Sequence, residues 1–180
     1  MIALALVLTL TGPPQPAAPP LVIFLEHFGS DLYAERAGLS LASACKGSRP
    51  VSILARRRGR VDRLTPEGAV VETVRRADLY SALAAAFREA GKTSDVVYIG
   101  RELPLGAGTT TVGSHPVPRT SLAFDRTLAA LRGSGATFHG VSFIAVPDDG
   151  MRLLAEKSGG EVWIASGASL PSAAADRLCR

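Results

Sequence analysis

The sequence lacks the residue patterns that most metal, nucleotide and acyl-transfer sites require. Its three histidines, His27, His115 and His139, are scattered, and none lies beside either of the two cysteines, so no zinc-binding spacing is present. No Gly-x-Gly-x-x-Gly follows the first buried apolar run, and residues 106–113 lack the lysine of a phosphate loop. Ser114 lies in VGSHP, which misses the second glycine of a nucleophile turn. We therefore expect no enzyme, and a hydrolase on an α/β fold is the least favoured alternative.

Long hydrophobic runs are also few, and one stands at the start of the chain. Residues 1–10, MIALALVLTL, are apolar but too short to span a bilayer, and the proline-rich segment TGPPQPAAPP follows. This order is typical of a secretory signal. We expect a signal peptide and leader over 1–20, one domain over 21–180, no transmembrane segment in the mature chain, and a secreted or periplasmic location. The alternative is a disordered, proline-rich leader that merely begins apolar.

Cysteine is scarce, and the two cysteines, Cys45 and Cys179, are far apart in the sequence. An even number of cysteines fits export, because an oxidising compartment permits them to form one disulfide. Two separately buried thiols are the alternative.

Aromatic residues make up 6% of the chain, and none is interleaved with the arginines that cluster at 56–63. Nucleic acid is therefore not expected as a partner, because single strands are bound by stacking on aromatic side chains. The formal net charge is +4. Arg56, Arg57 and Arg58 could form a patch for anionic partners such as polysaccharide or lipid, which would associate the chain with the cell envelope. The favoured interpretation is a solvated hairpin tip.

Residues 21–30, LVIFLEHFGS, are the stretch around which the rest of the chain is organised. Five consecutive apolar residues followed by a turn signal predict a strand covered on both faces, with binding groups just beyond its carboxyl end. Strands and helices then alternate, which predicts parallel pairing with right-handed crossovers. The fold class is α/β, Rossmann-like and doubly wound, with a mainly parallel sheet, one antiparallel edge hairpin and helices on both faces. Further strands are predicted at 51–55, 60–64, 95–99, 137–146 and 161–165, helices at 31–44, 78–90, 121–131, 149–157 and 171–178, a turn at 65–68, and one long loop at 103–118.

Four stretches in this order resemble a von Willebrand factor type A domain. They are LVIFLEHFGS, the hairpin VSILARRRGRVDRL, ADLYSALAAAF before DVVYIGRE, and GMRLLAEKSGGEVWIA. The last is the most specific, because a Leu-Ala-Glu-x-Ser-Gly-Gly segment that leads into a strand is common late in this family. The likeness covers residues 21–165 and implies the same architecture.

Many members of this family bind a divalent cation through hydroxyl and carboxylate oxygens. The resemblance places the corresponding positions at Glu26, Phe28, Ser30, Ala77 and Arg101. Only Ser30 keeps the family's residue; Phe28 and Ala77 remove hydroxyl ligands, Arg101 adds a positive charge, and Glu26 is longer than the usual aspartate. These departures predict a degenerate adhesion site with no functional metal and no cofactor.

Two hypotheses concern the polar residues of this degenerate site. Arg101 is predicted to pair with Glu26, so that an internal ion pair replaces the attraction between metal and carboxylate. His27 is interpreted as a polar residue at the end of a strand and not as an acid or base, because neighbouring strand residues face opposite ways.

The partner surface is predicted at the edge formed by Phe28, Ser30, Gly100, Arg101 and residues 103–118. An aromatic side chain beside arginine is a favoured anchor for protein contact. The function expected from the sequence is therefore an exported, non-enzymatic protein-interaction module of the adhesion or scaffold type. The alternative is a structural component of the cell envelope that docks through the arginine-rich hairpin.

Overall fold

A computed structural model of the chain describes residues 18–27, 32–106, 109–112, 115–118 and 120–180. Phe28, Ser30 and nearly all of the predicted leader lie outside these ranges. The strands are β1 (Leu21–Glu26), β2 (Val51–Arg57), β3 (Arg60–Leu64), β4 (Val70–Arg76), β5 (Asp95–Gly100), β6 (Thr109–Val112), β7 (His115–Pro118), β8 (Thr137–Ser142) and β9 (Val162–Ile164). The helices are α1 (Tyr33–Ala44), α2 (Leu79–Ala90), α3 (Leu122–Ser134), α4 (Asp149–Ser158) and α5 (Ser172–Leu178).

Within the described residues, seven strands form one sheet in the order β4-β3-β2-β1-β5-β8-β9. β1 pairs in parallel with β2 and β5, and β8 pairs in parallel with β5 and β9. β3 is antiparallel to both of its neighbours, β2 and β4. The α/β, Rossmann-like class predicted from the sequence is therefore confirmed, with its parallel centre and its antiparallel edge.

The central strand β1 serves two hydrophobic cores, because all six of its residues are buried. Val22 and Phe24 pack in the core that contains residues of α2, α3 and α4. Ile23 and Leu25 pack in the opposite core, which contains residues of α1 and α5. Successive strand residues face opposite sides of a sheet, so a continuous apolar run is what a strand between two helical layers requires.

The antiparallel edge has one strand more than the sequence predicted. β4 follows the expected turn and pairs with β3, with register irregularities at two points. Three of its valines are largely exposed, Val70, Val71 and Val74. Neither face of β4 shows the buried apolar pattern on which the prediction of strands depends.

The predicted loop at 103–118 also contains regular structure. β6 and β7 pair antiparallel as a separate two-stranded sheet. β7 includes Pro116 and Pro118, and proline cannot donate a hydrogen bond to a strand ladder, so its sequence is typical of a loop or an edge.

Boundaries differ from the predictions by two residues or more in α1, β2, α3 and β8, with β2 extending to Arg57 and α3 to Ser134. α1 begins at Tyr33 instead of residue 31, and its N-cap position is occupied by Leu32, whose side chain has no group that could accept a hydrogen bond. β8 ends at Ser142 instead of residue 146, because the Ile144 amide donates to the Ser142 Oγ (3.2 Å) and its partner β9 has three residues. No described helix has the length and apolar character needed to cross a membrane.

The N-terminal edge of the parallel strands is held together by Arg49, whose side chain is 3% exposed. Its Nη1 donates to the Asp95 Oδ2 (2.6 Å) and to the Leu178 carbonyl (2.9 Å). Its Nε donates to the Pro19 carbonyl (2.7 Å), and its Nη2 donates to the Pro20 carbonyl (2.9 Å). One guanidinium therefore joins the segment before β1, the start of β5 and the end of α5.

The same edge carries a histidine and the disulfide. The His139 Nδ1 accepts from the Glu161 amide (3.2 Å), so its proton is on Nε2, which donates to the Asp95 Oδ1 (3.2 Å). The ring of Trp163 is stacked on His139 with centroids 5.2 Å apart. Cys45 and Cys179, at the ends of α1 and α5, are joined by a disulfide. Of the two alternatives that the sequence left open for the cysteines, the structure has the bonded one.

Candidate functional site

The candidate site lies at the C-terminal edge of the parallel strands, where β1 ends in Glu26. Glu26 is 4% exposed and lies opposite Arg56 in the parallel register of β1 and β2. The Arg56 Nη1 donates to the Glu26 Oε1 over 2.6 Å, and the Arg56 Nε donates to the Ala77 carbonyl over 3.1 Å. A single guanidinium thus bridges Glu26 and Ala77, two of the positions that the sequence resemblance assigned to the degenerate adhesion site.

The predicted pairing of Glu26 with Arg101 is replaced by this contact. Arg101 follows β5 and is exposed, whereas Arg56 approaches Glu26 from the adjacent strand. Gly100 is buried, and a Cβ at this position would collide with the ring and hydroxyl of Tyr98. Gly100 therefore allows close packing of Tyr98 and offers little surface to a partner.

The Glu26 carboxyl is only half satisfied. Its Oε2 is buried and has no hydrogen-bond partner among the described residues. Burial raises the pKa of Glu26 to about 7, and the opposing attraction of Arg56 does not overcome this effect. The neighbouring Tyr98 donates its hydroxyl proton to the Glu102 carbonyl (2.9 Å), and burial, reinforced by Glu26, raises its pKa well above the ordinary value.

His27, directly after β1, turns towards α1. Its Nε2 lies 2.6 Å from the Glu35 Oε2, which also accepts a hydrogen bond from Arg57. Burial opposes ionisation of Glu35, but the hydrogen bonds from His27 and Arg57 outweigh it and lower the pKa of Glu35. The interpretation of His27 as a polar residue at a strand end agrees with this structural contact.

The arginine patch that was predicted to attract anionic partners is largely engaged in internal contacts. Arg56 binds Glu26 and Arg57 binds Glu35, so two of its three charges are balanced by carboxylates of the same chain. Arg58 is exposed at the tip of the hairpin. Its backbone φ is +49°.

A cavity of about 730 Å³ lies between the start of α1 and the β2–β3 hairpin. Its described lining includes polar groups that converge, as an enzyme would need: His27, Glu35, Arg57, Arg60 and Asp62. Each carboxylate among them is already bound, Glu35 as above and Asp62 by Thr73 (2.8 Å) and Arg60. No serine, threonine, cysteine or lysine is among the described lining residues, so they provide no hydroxyl, thiol or amine nucleophile.

The described residues do not fit a divalent cation at this edge. A guanidinium is 2.6 Å from the Glu26 carboxylate, the first position that the resemblance gives to the ion, and the nearby Ala77 has no side-chain oxygen. Elsewhere in the described ranges, no group of three or more His, Cys, Asp or Glu side chains could hold a metal ion.

Sequence reasoning missed Arg56 as the partner of Glu26, although a signal was present. The runs 21–26 and 51–56 are equally long, and each follows a proline. If two such parallel strands start level, their last residues, Glu26 and Arg56, are neighbours. Arg49 carried no comparable signal, because its acceptors lie at three distant points of the sequence.

No protein-family model matches the chain, and no curated protein matches it. Among solved structures, proximal thread matrix protein 1 from the mussel byssus is similar, with a TM-score of 0.55 and 9% identity over 91% of this chain and 47% of that chain. The human COPII-coat protein Sec24c has a TM-score of 0.45 and 10% identity over 83% of this chain and 29% of that chain. This chain therefore spans less than half of either protein.

At these identities a structural likeness shows the fold alone, and the mussel protein is the one of the two whose TM-score exceeds 0.5. That protein has a von Willebrand A-like fold. The sheet order with β1 at its centre and helices on both faces agrees with the architecture that the sequence resemblance implied. The chain has a von Willebrand A-like fold.

Proposed function

We propose that the chain is an exported, non-enzymatic protein-interaction module whose scaffold works without a metal ion. The observation that carries the proposal is the ion pair between Arg56 and Glu26 at the edge where the family's cation would lie. A divalent cation would have to displace a fixed positive charge from the Glu26 carboxylate. Repulsion between partly buried like charges is weakly screened, so the guanidinium opposes entry of the ion.

A binding role is favoured over catalysis by what the polar groups at this edge already do. Glu26 binds Arg56, and Glu35 binds both His27 and Arg57, so these side chains hold the ends of β1, β2 and α1 in place. Among the described residues of the predicted partner edge, Arg101, Pro104 and Gly106 are exposed. Phe28 and Ser30 stay predicted contact residues.

Export is supported by the disulfide between Cys45 and Cys179. Disulfides persist in oxidising compartments and are rare where thiols are kept reduced. The apolar start of the sequence agrees with this location. Docking to the cell envelope through the arginine-rich hairpin is less favoured, because Arg56 and Arg57 are bound to carboxylates of the chain itself.

Thermal unfolding of the full chain with excess Mg²⁺ or Mn²⁺, and with a chelator, tests the metal-free scaffold. We expect the three melting temperatures to agree. An ion present at about 100 times its dissociation constant would add about 2.7 kcal/mol, which is a shift of several degrees. A metal-dependent rise would contradict the proposal and restore a metal-dependent adhesion role.

A matched pair of variants tests whether Arg56 is the group that excludes the cation. In R56M the fixed charge at the edge is removed, whereas R36M removes an exposed arginine of α1 that does not contact Glu26. If Arg56 excludes the cation, the melting temperature of R56M should rise with metal while that of R36M does not change. Equal metal responses in R56M and R36M would show that Arg56 is not the reason.

A further inference from the structure

A second surface, between α2 and α3, has charges that the chain does not balance. Two neighbouring cavities, of about 500 and 420 Å³, lie along these helices, and Arg88 lines both of them. We call the two cavities together the α2–α3 groove. Its positively charged lining residues are Arg75 from β4, Arg88 and Lys92 from α2 and the turn after it, and Arg126 from α3.

The groove contrasts with the hairpin patch because its cations have no ion-pair partners among the described residues. Its one lining carboxylate, Asp78, accepts hydrogen bonds from the Ser81 amide (3.0 Å) and the Ser81 Oγ (2.6 Å), as the cap of α2. Glu89 lies near Arg75, and the positive charge of Arg75 is one of the causes that lower the pKa of Glu89. However, the Glu89 carboxylate is hydrogen-bonded by Arg63 and Ser52.

Arg75 adds an observation that is independent of the overall charge. Its Nε is buried and has no hydrogen-bond acceptor among the described residues. A buried charged donor without an acceptor is unfavourable, and burial normally comes with a partner. Because the Nε itself has no accessible surface, an acidic group in the cavity would meet the part of Arg75 that lines it.

The groove also has an apolar component. Leu122, at the start of α3, is 65% exposed and lines one end. Small residues, including Gly91, Ala130 and Gly133, line the other end, so little side-chain bulk stands between the helices there. A ligand that carries both acidic and apolar groups complements this surface better than a polysaccharide, which offers anionic groups without apolar side chains.

The length of the groove sets the size of such a ligand. α2 has 12 residues and is therefore about 18 Å long. An extended peptide rises about 3.3 Å per residue, so roughly five or six residues would span it.

We propose that the α2–α3 groove binds an extended acidic segment of a protein partner in which carboxylate and apolar side chains are interspersed. Its carboxylates meet Arg75, Arg88 and Arg126, and its apolar side chains cover Leu122 and the small residues near Gly133. The inference rests on the proposed role in protein interaction, but it places the partner's charged segment on a different surface from the Arg101 edge.

The probe is a short fluorescein-labelled peptide of alternating Glu and Leu, titrated with the full chain and followed by fluorescence anisotropy. We expect saturable binding that weakens as salt is added. A Gln–Leu peptide removes the charges and a Glu–Ser peptide removes the apolar groups, and each should bind at least about tenfold more weakly. Equal binding of the Glu–Leu and Gln–Leu peptides would overturn the charge-based recognition.

The variants R88E/R126E and R36E/R152E make the same change in net charge at exposed positions. Only the first pair lines the groove, so we expect it to lose at least about tenfold in affinity while the second pair binds normally. L122S, also at an exposed position, should lower the affinity for the Glu–Leu peptide and leave the Glu–Ser peptide unaffected. Equal losses in the two arginine pairs would overturn the location.

Heparin, a sulfated polysaccharide, distinguishes a general polyanion site from a peptide site. Heparin binding that depends on Arg88 and Arg126, together with no binding of the Glu–Leu peptide, would overturn the proposed occupant. If the Glu–Leu peptide does not bind, the proposal of a metal-free scaffold is unaffected, because the melting experiment with metal tests that proposal without any peptide.

Discussion

Two buried arginine–carboxylate pairs lie at opposite edges of the same sheet, and the pKa values of their carboxylates are shifted in opposite directions. In both pairs the guanidinium is 2.6 Å from the carboxylate. At the N-terminal edge, hydrogen bonds from His139 and Arg49 outweigh the cost of burial and lower the pKa of Asp95. At the C-terminal edge, burial prevails and raises the pKa of Glu26 to about 7.

The difference lies in the number of hydrogen bonds and not in the distance between the charges. Both oxygens of Asp95 have partners, whereas the Oε2 of Glu26 has none among the described residues. A nearby opposite charge favours ionisation, but it does not replace the water that a buried oxygen has lost. The N-terminal edge therefore has its buried carboxylate fully hydrogen-bonded, whereas the C-terminal edge leaves one buried carboxylate oxygen without a partner among the described residues.

The largest effect should come from breaking the N-terminal pair. We expect R49M to lower the free energy of unfolding by about 3 to 5 kcal/mol, because Asp95 and three backbone carbonyls lose a buried donor. R56M should cost only about 1 kcal/mol, since Glu26 can take up a proton when its partner is lost. Urea unfolding at about pH 6, followed by the fluorescence of Trp163, measures both.

If R49M fails to fold, R49K serves in its place, because it keeps the charge and loses the planar fork that reaches the separate acceptors. We expect R49K to be less stable than the wild type. Equal losses of stability in R49M and R56M would show that hydrogen-bond number does not distinguish the two edges.

The disulfide is the second contribution to the stability of the N-terminal edge. It joins residues that are 134 positions apart, and its removal in C45A/C179A should lower the free energy of unfolding by about 2 to 5 kcal/mol. A reducing agent should lower the melting temperature of the wild type and leave that of C45A/C179A unchanged. A wild-type melting temperature that does not respond to the reducing agent would contradict this expectation.

The two carboxylates should also give stability an opposite dependence on pH. The folded-state pKa of Glu26 is above its ordinary value, so between about pH 4.5 and 7 the folded chain holds the proton more tightly than the unfolded chain. Raising the pH through this window should therefore cost up to about 3 kcal/mol. The lowered pKa of Asp95 acts in the other direction, because its contribution is present above its ordinary pKa and is lost as the pH falls through its folded-state value.

The variant E26Q isolates the contribution of Glu26, which acts between about pH 4.5 and 7. Its amide does not titrate, so the loss of stability between about pH 4.5 and 7 should disappear and the variant should be the more stable protein above pH 7. Urea unfolding of the wild type and E26Q at a series of pH values measures the slope, and D95N provides the comparison for the acid window. A wild type that becomes more stable as the pH rises through the upper window would show that Arg56 holds Glu26 ionised.

The fold could be predicted because its signals are local. The apolar run of β1 indicates a strand buried on both faces, and the helical spacing of α2 indicates a helix against one of them. β4 could not be found in this way, because its pairing with β3 leaves its valines exposed and produces no apolar period.

The candidate site was predictable only in its position. The sequence placed Glu26 at the end of the central strand, but the partner of Glu26 depends on which residue of β2 lies opposite it. The resemblance placed Arg101 among the positions of the adhesion site and did not include Arg56. Arg49 depends on contacts across up to 129 positions of the chain, for which no local pattern exists. Long-range hydrogen bonds of this kind are fixed by the register of strands and not by the spacing of residues.

The smallest effect concerns Arg58, which belongs to neither buried pair. Arg58 and Gly59 form the two-residue turn between β2 and β3, and both have positive φ, +49° and +76°. Asn-Gly is the favoured sequence for such a turn, so R58N should raise the free energy of unfolding by about 0.5 kcal/mol and the melting temperature by a degree or two. The same substitution at Arg36, exposed within α1, should lower stability by a similar amount because asparagine is a poorer helix former than arginine. A loss of stability in R58N would mean that the Arg58 side chain contributes more than its backbone strain costs, and the contrast between paired and unpaired arginines would then have to be revised.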